Sequence, residues 1–334
     1  MKKTIVLTIG LLFCLALAAG ASARTYKIAV VPWAGFSPAE VAVAKGFFKE
    51  EGLDVRIFSF SNSLAERTAI NKKLVDFGFN MIGTAVGWRL EGDPIVILAE
   101  TGWSHGGDKI IVKEGFDTKT LVRKPVGVYL DQPPILYFLS RYLRENGLDL
   151  SGVRVIQMET DMLAQKFIQG LFNVIVSYDP DALKAEREGK GTVVATSATY
   201  EGSIPEGIMA REDNLSTIPE ADLLKLFKGW IRAVSWIQAE GNWEGYSEIL
   251  NRVTFKSDGP YSEEDLKGMT AAVKVHDAAF MLERNADSGG LSSYLSNLKV
   301  FLEKNDRLKT DFNPADIFHN QYVVYALQQY APEN

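Results

Sequence analysis

Short apolar runs alternate with amphipathic segments of helical period through the first 210 residues, and this alternation is the strongest constraint on the fold. Strands that alternate with helices are typical of βαβ units, which build a mostly parallel sheet. From about Ser216 onward only the helical period continues, which predicts a helical cap at the C-terminal end. The predicted strands cover residues 27–31, 54–59, 75–80, 94–100, 109–112, 126–129, 154–158, 174–178 and 192–195.

Two of the intervening segments begin with the same helix-start signal. Ser37-Pro38-Ala39-Glu40 is typical of a capping box with proline at the first helical position, and Ser63-Leu64-Ala65-Glu66 repeats the box. These signals predict that each helix begins directly after the loop that follows a strand. The class predicted from the pattern is therefore α/β.

The first 23 residues are typical of a cleavable signal peptide. Lys2 and Lys3 give a basic start, residues 5–18 are mostly apolar, and Ala21-Ser22-Ala23 is a small-residue cleavage site. The apolar run is shorter than the ~20 residues that a membrane-spanning helix needs. We therefore expect a soluble protein that is exported to the periplasm and begins near Arg24.

Composition excludes several functional classes for the mature chain. The only cysteine, Cys14, lies in the signal peptide, so neither a disulfide nor a thiolate metal site is expected. Without Lys2 and Lys3, 34 basic residues face 42 acidic ones, and the resulting charge of −8 argues against nucleic acid as a partner. His105, His276 and His319 lack the spacing of a metal site, and we expect no metal or cofactor.

A phrase near the predicted N-terminus of the mature chain carries a family resemblance. It reads Pro32-Trp33-Ala34-Gly35-Phe36-Ser37-Pro38-Ala39-Glu40, followed by Lys45-Gly46-Phe47-Phe48-Lys49-Glu50-Glu51-Gly52-Leu53-Asp54-Val55. Behind a signal peptide, this phrase resembles the periplasmic solute-binding proteins of ABC importers. Within them it is most similar to the branch that serves sulfonates, nitrate, taurine and thiamine-precursor pyrimidines.

The resemblance implies a two-lobed periplasmic-binding-protein fold, in which each lobe is a mostly parallel sheet flanked by helices. Lobe one would comprise residues 24–107 and 205–334, including the helical cap, and lobe two residues 108–204. The two chain crossings, near residues 103–108 and 200–207, would form a hinge. The protein would be a monomer that closes around one small solute and then docks on an inner-membrane ABC permease.

Ligands of open α/β sheets bind beyond the carboxyl ends of the strands, so the loops at those ends supply the candidate site residues. We expect Trp33 and Trp103 to form flat walls and Asn62 and Thr84 to make hydrogen bonds. A core position remains an alternative for Trp33. The full candidate set is Trp33, Phe36, Asn62, Thr84, Trp103, His105, Asp131, Gln132, Asp161, Tyr178, Asp179 and Glu201.

The loop that opens the first helix of lobe two bears on the ligand's charge. By resemblance, the anion-binding relatives use Ser or Thr and backbone N–H groups at this turn, with help from the helix dipole. Here the turn is Asp131-Gln132-Pro133-Pro134, in which two prolines remove two donors and an aspartate adds negative charge. Because none of the loops contains Arg or Lys, we expect a nitrogenous, cationic or heterocyclic ligand, with charge supplied by Asp131, Asp161, Asp179 or Glu201.

Several alternatives remain open. Asp161 is also a common helix cap and Asp179 a common turn residue, and an anion-binding protein of the same fold would then fit. A ligand-sensing partner of a membrane receptor would bind in the same way. A pyrimidine-synthesising enzyme of thiamine biosynthesis resembles these proteins but carries a cysteine-rich motif. The mature chain has no cysteine and no Gly-x-Ser-x-Gly elbow, so we do not expect an enzyme.

Overall fold

The computed structural model describes residues 24–179, 181–257 and 259–330, and the predicted signal peptide lies outside them. Eleven strands in this part of the chain form two sheets. The first sheet contains β1 (Thr25–Val30), β2 (Asp54–Ser59), β3 (Phe77–Met81), β4 (Ile95–Ser104), β10 (Pro205–Arg211) and β11 (Val273–Val275). The second contains β5 (Asp108–Lys113), β6 (Pro125–Val128), β7 (Arg154–Gln157), β8 (Val174–Tyr178) and β9 (Gly191–Thr196).

Helices flank both sheets. Those that precede the return crossing into β10 are α1 (Ser37–Ala44), α2 (Phe47–Glu50), α3 (Ser63–Asn71), α4 (Ile82–Leu90), α5 (Pro133–Glu145), α6 (Thr160–Ile168) and α7 (Asp181–Gly189). Those that follow are α8 (Glu212–Leu215), α9 (Glu220–Gln238), α10 (Trp243–Ile249), α11 (Glu263–Ala271), α12 (Ala278–Asn285), α13 (Gly290–Lys304), α14 (Pro314–Ile317) and α15 (Gln321–Gln329). Single turns of 3₁₀-helix lie at Ala34–Phe36, Thr118–Leu121 and Leu150–Gly152, and a π-helix at Leu250–Thr254. No helix in the described ranges is both long enough and apolar enough to cross a membrane.

Both sheets are mixed, whereas the sequence predicts mostly parallel ones. The strand order is β11-β4-β10-β3-β1-β2 in the first sheet and β7-β6-β8-β5-β9 in the second. In the first sheet β1 runs parallel to β2 and β3, but β10 is antiparallel to β3 and β4. In the second sheet β6 runs parallel to β7 and β8, but β5 is antiparallel to β8 and β9.

The antiparallel strands follow from the two chain crossings. The chain leaves the first sheet at the end of β4 and enters the second at the start of β5, with only three residues between the two strands. It returns from the second sheet into β10. Strands β5 and β10 therefore begin at the edge where their parallel neighbours end, and they must run in the opposite direction. A parallel neighbour would require a long crossover back to the far edge of the sheet.

The alternation of strands and helices is confirmed, but two strands escaped prediction. Strand β10 begins with Pro205, inside the predicted crossing at residues 200–207, and continues to Arg211. Strand β11 has three residues and lies inside a predicted helical stretch, so the C-terminal part is not purely helical. Strand β11 is stabilised by its pairing with β4. The hydrophobic periodicity of residues near β11 does not predict a pairing partner so distant in sequence.

The two predicted capping boxes are wrong in detail. Asn62 rather than Ser63 caps α3, and its side chain accepts a hydrogen bond from the Ala65 N–H at 3.0 Å. At α1 the Ser37 hydroxyl donates back to the Ala34 carbonyl at 2.6 Å. Glu40 is buried and accepts a hydrogen bond from the Thr254 hydroxyl. Tertiary partners therefore recruit side chains that the local pattern assigns to the helix end.

One hydrophobic cluster joins helices attached to different sheets. It contains Ile82 and Val86 of α4, Leu136 and Phe138 of α5, and Leu298 of α13. Helix α4 follows a strand of the first sheet and α5 a strand of the second, so this cluster packs the two halves together. Some of the candidate site residues, among them Trp33 and Tyr178, lie in the space between the sheets, at the carboxyl ends of β1, β3, β6 and β8.

Candidate functional site

Aromatic side chains from both sheets meet in this space. The Tyr129 hydroxyl, just after β6, lies 3.9 Å from the sulfur of Met81 at the end of β3. The rings of Tyr129 and Tyr178 make an edge contact with centroids 4.9 Å apart. Trp33 enters from the loop after β1 and is half-buried. The geometry therefore places Tyr178, which the sequence predicts, beside Tyr129, which it does not.

Two glycines make room for Trp33. A Cβ at Gly107, in the crossing between β4 and β5, would lie only 2.5 Å from the Trp33 ring, so the indole packs directly over the crossing backbone. A Cβ at Gly35 would lie 2.8 Å from the Trp33 nitrogen and 2.5 Å from Glu206 Oε2. The indole N–H and the Glu206 carboxylate therefore face the same small space beside Gly35. Neither atom has a hydrogen-bond partner of good geometry among the described residues.

Glu206 is a buried carboxylate at the start of β10. It is 4% exposed and lies opposite Met81 in the register with β3. Burial raises its pKa to about 8; the nearby Trp33 N–H counteracts this rise, and the negative charge of Asp108 adds to it. The site thus contains a carboxyl group that gives up its proton reluctantly and has a free oxygen facing Trp33.

Asp108 is a second buried carboxylate, at the start of β5. It is 4% exposed, and the Tyr129 hydroxyl donates a hydrogen bond to it at 2.5 Å. Burial raises the pKa of Asp108, while the Ser104 and Tyr129 hydroxyls counteract the rise. The pKa of Tyr129 is well above its ordinary value because of burial and the neighbouring Asp108 charge. In the described part of the chain, neither Asp108 nor Glu206 forms an ion pair with a basic side chain.

The acidic residues predicted from the loops have different surroundings. Asp131 pairs with Arg307 at 2.8 Å and Asp179 with Lys109 at 2.7 Å. Asp161 is exposed in the first turn of α6, and its carboxylate accepts the Met162 N–H at 2.7 Å. Although the loops themselves contain no Arg or Lys, Asp131 and Asp179 are paired with bases from segments distant in sequence.

Glu201 and His105 lie together at the two crossings. Glu201 is half exposed, 3.3 Å from the Lys274 ammonium and 3.6 Å from His105 Nδ1. The His105 N–H of the backbone donates to the Ala272 carbonyl at 2.9 Å. This pair links the crossings to the end of α11, and Lys274 already compensates the Glu201 charge.

Other predicted site residues serve mainly packing or capping. Phe36 is buried and its ring lies 5.9 Å from that of Phe79 in the core of the first sheet. Asn62 is occupied as the cap of α3. Gln132 lies against Gly87 of α4, so it bridges the two halves of the protein. Thr84 is fully buried in the first turn of α4, and its hydroxyl has no partner among the residues described.

Trp103 belongs to a buried polar network rather than to the space beside Trp33. It is 6% exposed and donates its N–H to Glu100 at 2.6 Å. Glu100 also bonds Arg284 at 2.7 Å and His276 at 2.9 Å. Burial tends to raise the pKa of Glu100, but the bonds from His276 and Arg284 outweigh it and lower the pKa. This network connects β4 with β11 and α12. The Trp103 N–H already donates to Glu100, so it is not available to a ligand.

The residues that sequence reasoning missed are Asp108, Tyr129 and Glu206. Asp108 directly follows Gly106-Gly107 and Glu206 stands between Pro205 and Gly207, so each acid sits beside the flexible residues of a crossing. An acid next to a glycine of a chain crossing was the available signal. No group of three or more His, Cys, Asp or Glu in the described ranges is arranged to hold a metal ion.

The chain belongs to the NMT1/THI5-like family, which residues 33–227 match. "Putative binding protein YtlA" of Bacillus subtilis (strain 168) is 25% identical over 214 residues, which are 61% of this chain and 63% of that protein. The match thus spans less than two thirds of the relative's own length. The resemblance to the solute-binding branch is confirmed at the level of the family.

Solved structures show the α/β periplasmic-binding-protein fold. The ligand-binding component of an ABC-type import system from Staphylococcus aureus, with zinc bound, has a TM-score of 0.66 at 12% identity, covering 91% of this chain and 99% of that one. The alkanesulfonate-binding protein SsuA of Xanthomonas axonopodis pv. citri, bound to MOPS, has a TM-score of 0.69 at 12% identity, covering 90% and 99%. The desulfurization enzyme DszB shares the fold with a TM-score of 0.60 at 12% identity, covering 92% and 99%.

Proposed function

We propose that this protein is the soluble periplasmic solute-binding component of an ABC importer and performs no chemistry. Family membership and the similarity to YtlA support a binding role, and the Staphylococcus aureus protein of the same fold supports a role in import. The proposed lobes are residues 24–107 with 205–334 and residues 108–204, which agrees with the membership of the two sheets. Residues 1–23 would direct export, and the closed protein, as a monomer, would dock on a permease.

The solute is a nitrogenous, cationic or heterocyclic small molecule. The observation that carries this is the pair of buried carboxylates, Glu206 and Asp108, without a basic partner beside Trp33 and Tyr129. A buried negative charge is costly unless a positive group compensates it. A cationic ligand would supply that charge and would also gain cation–π attraction from the aromatic faces.

Closure follows from the positions of the two carboxylates. Glu206 begins a strand of lobe one and Asp108 begins a strand of lobe two. A ligand that contacts both carboxylates bridges the lobes, so it binds the closed arrangement more strongly than the open one and stabilises it.

One observation favours an anion-binding function of the same fold. The buried, unpartnered Thr84 hydroxyl lies in the first turn of α4, where the helix dipole attracts negative charge. Glu206 lies opposite Met81, three residues before Thr84, so its carboxylate disfavours an anion there when it is ionised.

A thermal-shift screen tests the proposal. The purified protein is unfolded and refolded to remove co-purified solute, then screened with two ligand sets. One set holds amines, quaternary ammonium compounds and pyrimidines, and the other holds sulfonates, nitrate and carboxylates. A ligand at a hundred times its dissociation constant stabilises by ~2.7 kcal/mol, which raises the melting temperature by roughly 5 °C. We expect this rise in the first set only; a rise only among the anions would contradict the ligand assignment.

A further inference from the structure

Helices α4 and α5 make a close contact between the lobes at two glycines. A Cβ at Gly83 would lie 2.8 Å from Pro134 Cδ and 2.8 Å from the Tyr294 hydroxyl. A Cβ at Gly87 would lie 2.3 Å from Gln132 Oε1 and 3.0 Å from Pro133 Cδ. The glycines are four residues apart and therefore lie on one face of α4. The start of α5 fits against this face so closely that no side chain can stand there.

The contact is apolar and extends to the C-terminal cap. Pro133 and Pro134 are buried, and the Tyr137 ring makes edge contacts with Tyr294 at 5.8 Å and Phe301 at 5.4 Å. These aromatic partners belong to α13. Separating the lobes would expose the prolines and the Tyr137 ring to water, which is unfavourable whether or not a solute is bound.

Ion pairs border the same interface. Arg307, after α13, pairs with Asp131 at 2.8 Å, and Lys304 pairs with Asp149 at 3.2 Å. Each pair joins a residue of the cap to a residue of lobe two. Such exposed pairs add little energy but favour one alignment of the two surfaces.

We propose that Gly83 and Gly87 of α4, with Gln132, Pro133 and Pro134 at the start of α5, form a latch that keeps the lobes closed without a bound solute. The double proline serves this latch: it presents rigid rings to the glycine face of α4, which accounts for a turn with few backbone donors. This inference rests on the two-lobe division of the proposed function but not on the identity of the ligand. With this latch the solute-free protein is mostly closed, so a solute must enter while the lobes are transiently open.

The latch is tested by measuring the distance between the lobes in the solute-free protein. The mature chain, which is expected to begin near Arg24, has no cysteine, so labels can be attached at Leu64→Cys and Met162→Cys. These side chains are 71% and 45% exposed, in the first turns of α3 and α6, which follow β2 of lobe one and β7 of lobe two. Nitroxide labels and pulsed electron resonance then report the distance distribution. We expect a single narrow distance without solute.

Three alanine variants make the test specific. Gly83→Ala places a methyl group against the Pro134 ring and should add a second, longer distance. Gly87→Ala should give a smaller population at the longer distance, because the end of the Gln132 side chain can move away from the added methyl group. Gly268→Ala in α11 is the matched control, since a Cβ there meets nothing within 4 Å, and it should leave the distribution unchanged.

Two results would overturn the latch. One is a broad or long distance in the solute-free unsubstituted chain, and the other is a Gly83→Ala distribution identical to that of Gly268→Ala. Circular dichroism checks that each variant is folded. If Gly83→Ala does not fold, Tyr137→Leu removes the ring contacts without adding a wedge and should also produce the longer distance. An unchanged distance in that variant counts against the latch.

Discussion

Replacing Glu206 by glutamine should remove part of the pH dependence of the free energy of unfolding. The folded state holds the Glu206 proton more tightly than the unfolded chain does, because burial raises its pKa from 4.5 to about 8. Between these two pH values the folded protein binds a proton that the unfolded chain has released, so the free energy of unfolding falls as the pH rises. The stabilising contribution of the protonated Glu206 side chain is therefore fully present below pH 4.5 and decreases until it is lost at about pH 8.

The size of the effect follows from the shift. The pKa difference is about 3.5 units, and each unit is worth about 1.4 kcal/mol, so Glu206 lowers stability by about 5 kcal/mol between pH 4.5 and pH 8. Glutamine has nearly the same shape and does not titrate. Relative to the unsubstituted protein, Glu206→Gln should therefore gain several kcal/mol at pH 8 and little at pH 5.

Urea unfolding of the solute-free protein at pH 5 and pH 8 measures this difference. Glu201→Gln is the matched control, because Glu201 is half exposed at the other side of the same crossing and pairs with Lys274. It should change stability equally at both pH values. A Glu206→Gln variant whose advantage does not grow from pH 5 to pH 8 would refute the reasoning that this carboxylate is buried and unpaired.

Three further predictions concern the walls and charges of the site. Trp33→Ala should weaken cation binding about tenfold or more through the lost cation–π contact; calorimetry measures the affinity, and a large fall in the melting temperature of the solute-free variant would show that Trp33 is a core residue instead. Arg284→Met should lower the free energy of unfolding by about 3–5 kcal/mol, because Glu100 is left buried beside a neutral side chain; denaturant unfolding measures this, and a loss under about 1 kcal/mol would mean that the buried pair is dispensable. Asp179→Asn should leave affinity within about twofold and stability within about 1 kcal/mol, since Lys109 already compensates this surface charge; a large loss of affinity would restore Asp179 as the ligand's counter-ion.

The fold was more predictable than the site, and the reason lies in the range of the signals. Hydrophobic periodicity is local, so the strands that precede helices were found close to their true positions. Strand β11 forms because it pairs with β4, and the direction of β10 is determined by the sheet from which the chain returns. The local hydrophobic pattern therefore predicts neither of them.

The charge of the site illustrates the same limit. Asp131 and Asp179 were identified as acidic loop residues, but their partners Arg307 and Lys109 lie 176 and 70 residues away. Asp108 and Glu206 look like ordinary surface acids at strand starts. They are buried because the two chain crossings pack against each other in the folded protein. The local sequence pattern does not predict this contact.

The most direct test of the proposed site is the affinity of the best nitrogenous ligand for three proteins, measured by titration calorimetry. At about pH 9, where Glu206 is ionised, we expect Glu206→Gln to bind at least about 30-fold more weakly than the unsubstituted protein, because an ion pair in a buried site is lost. Asp179→Asn should bind as the unsubstituted protein does. Equal affinity in Glu206→Gln would contradict the claim that the buried carboxylates between the two sheets hold the ligand.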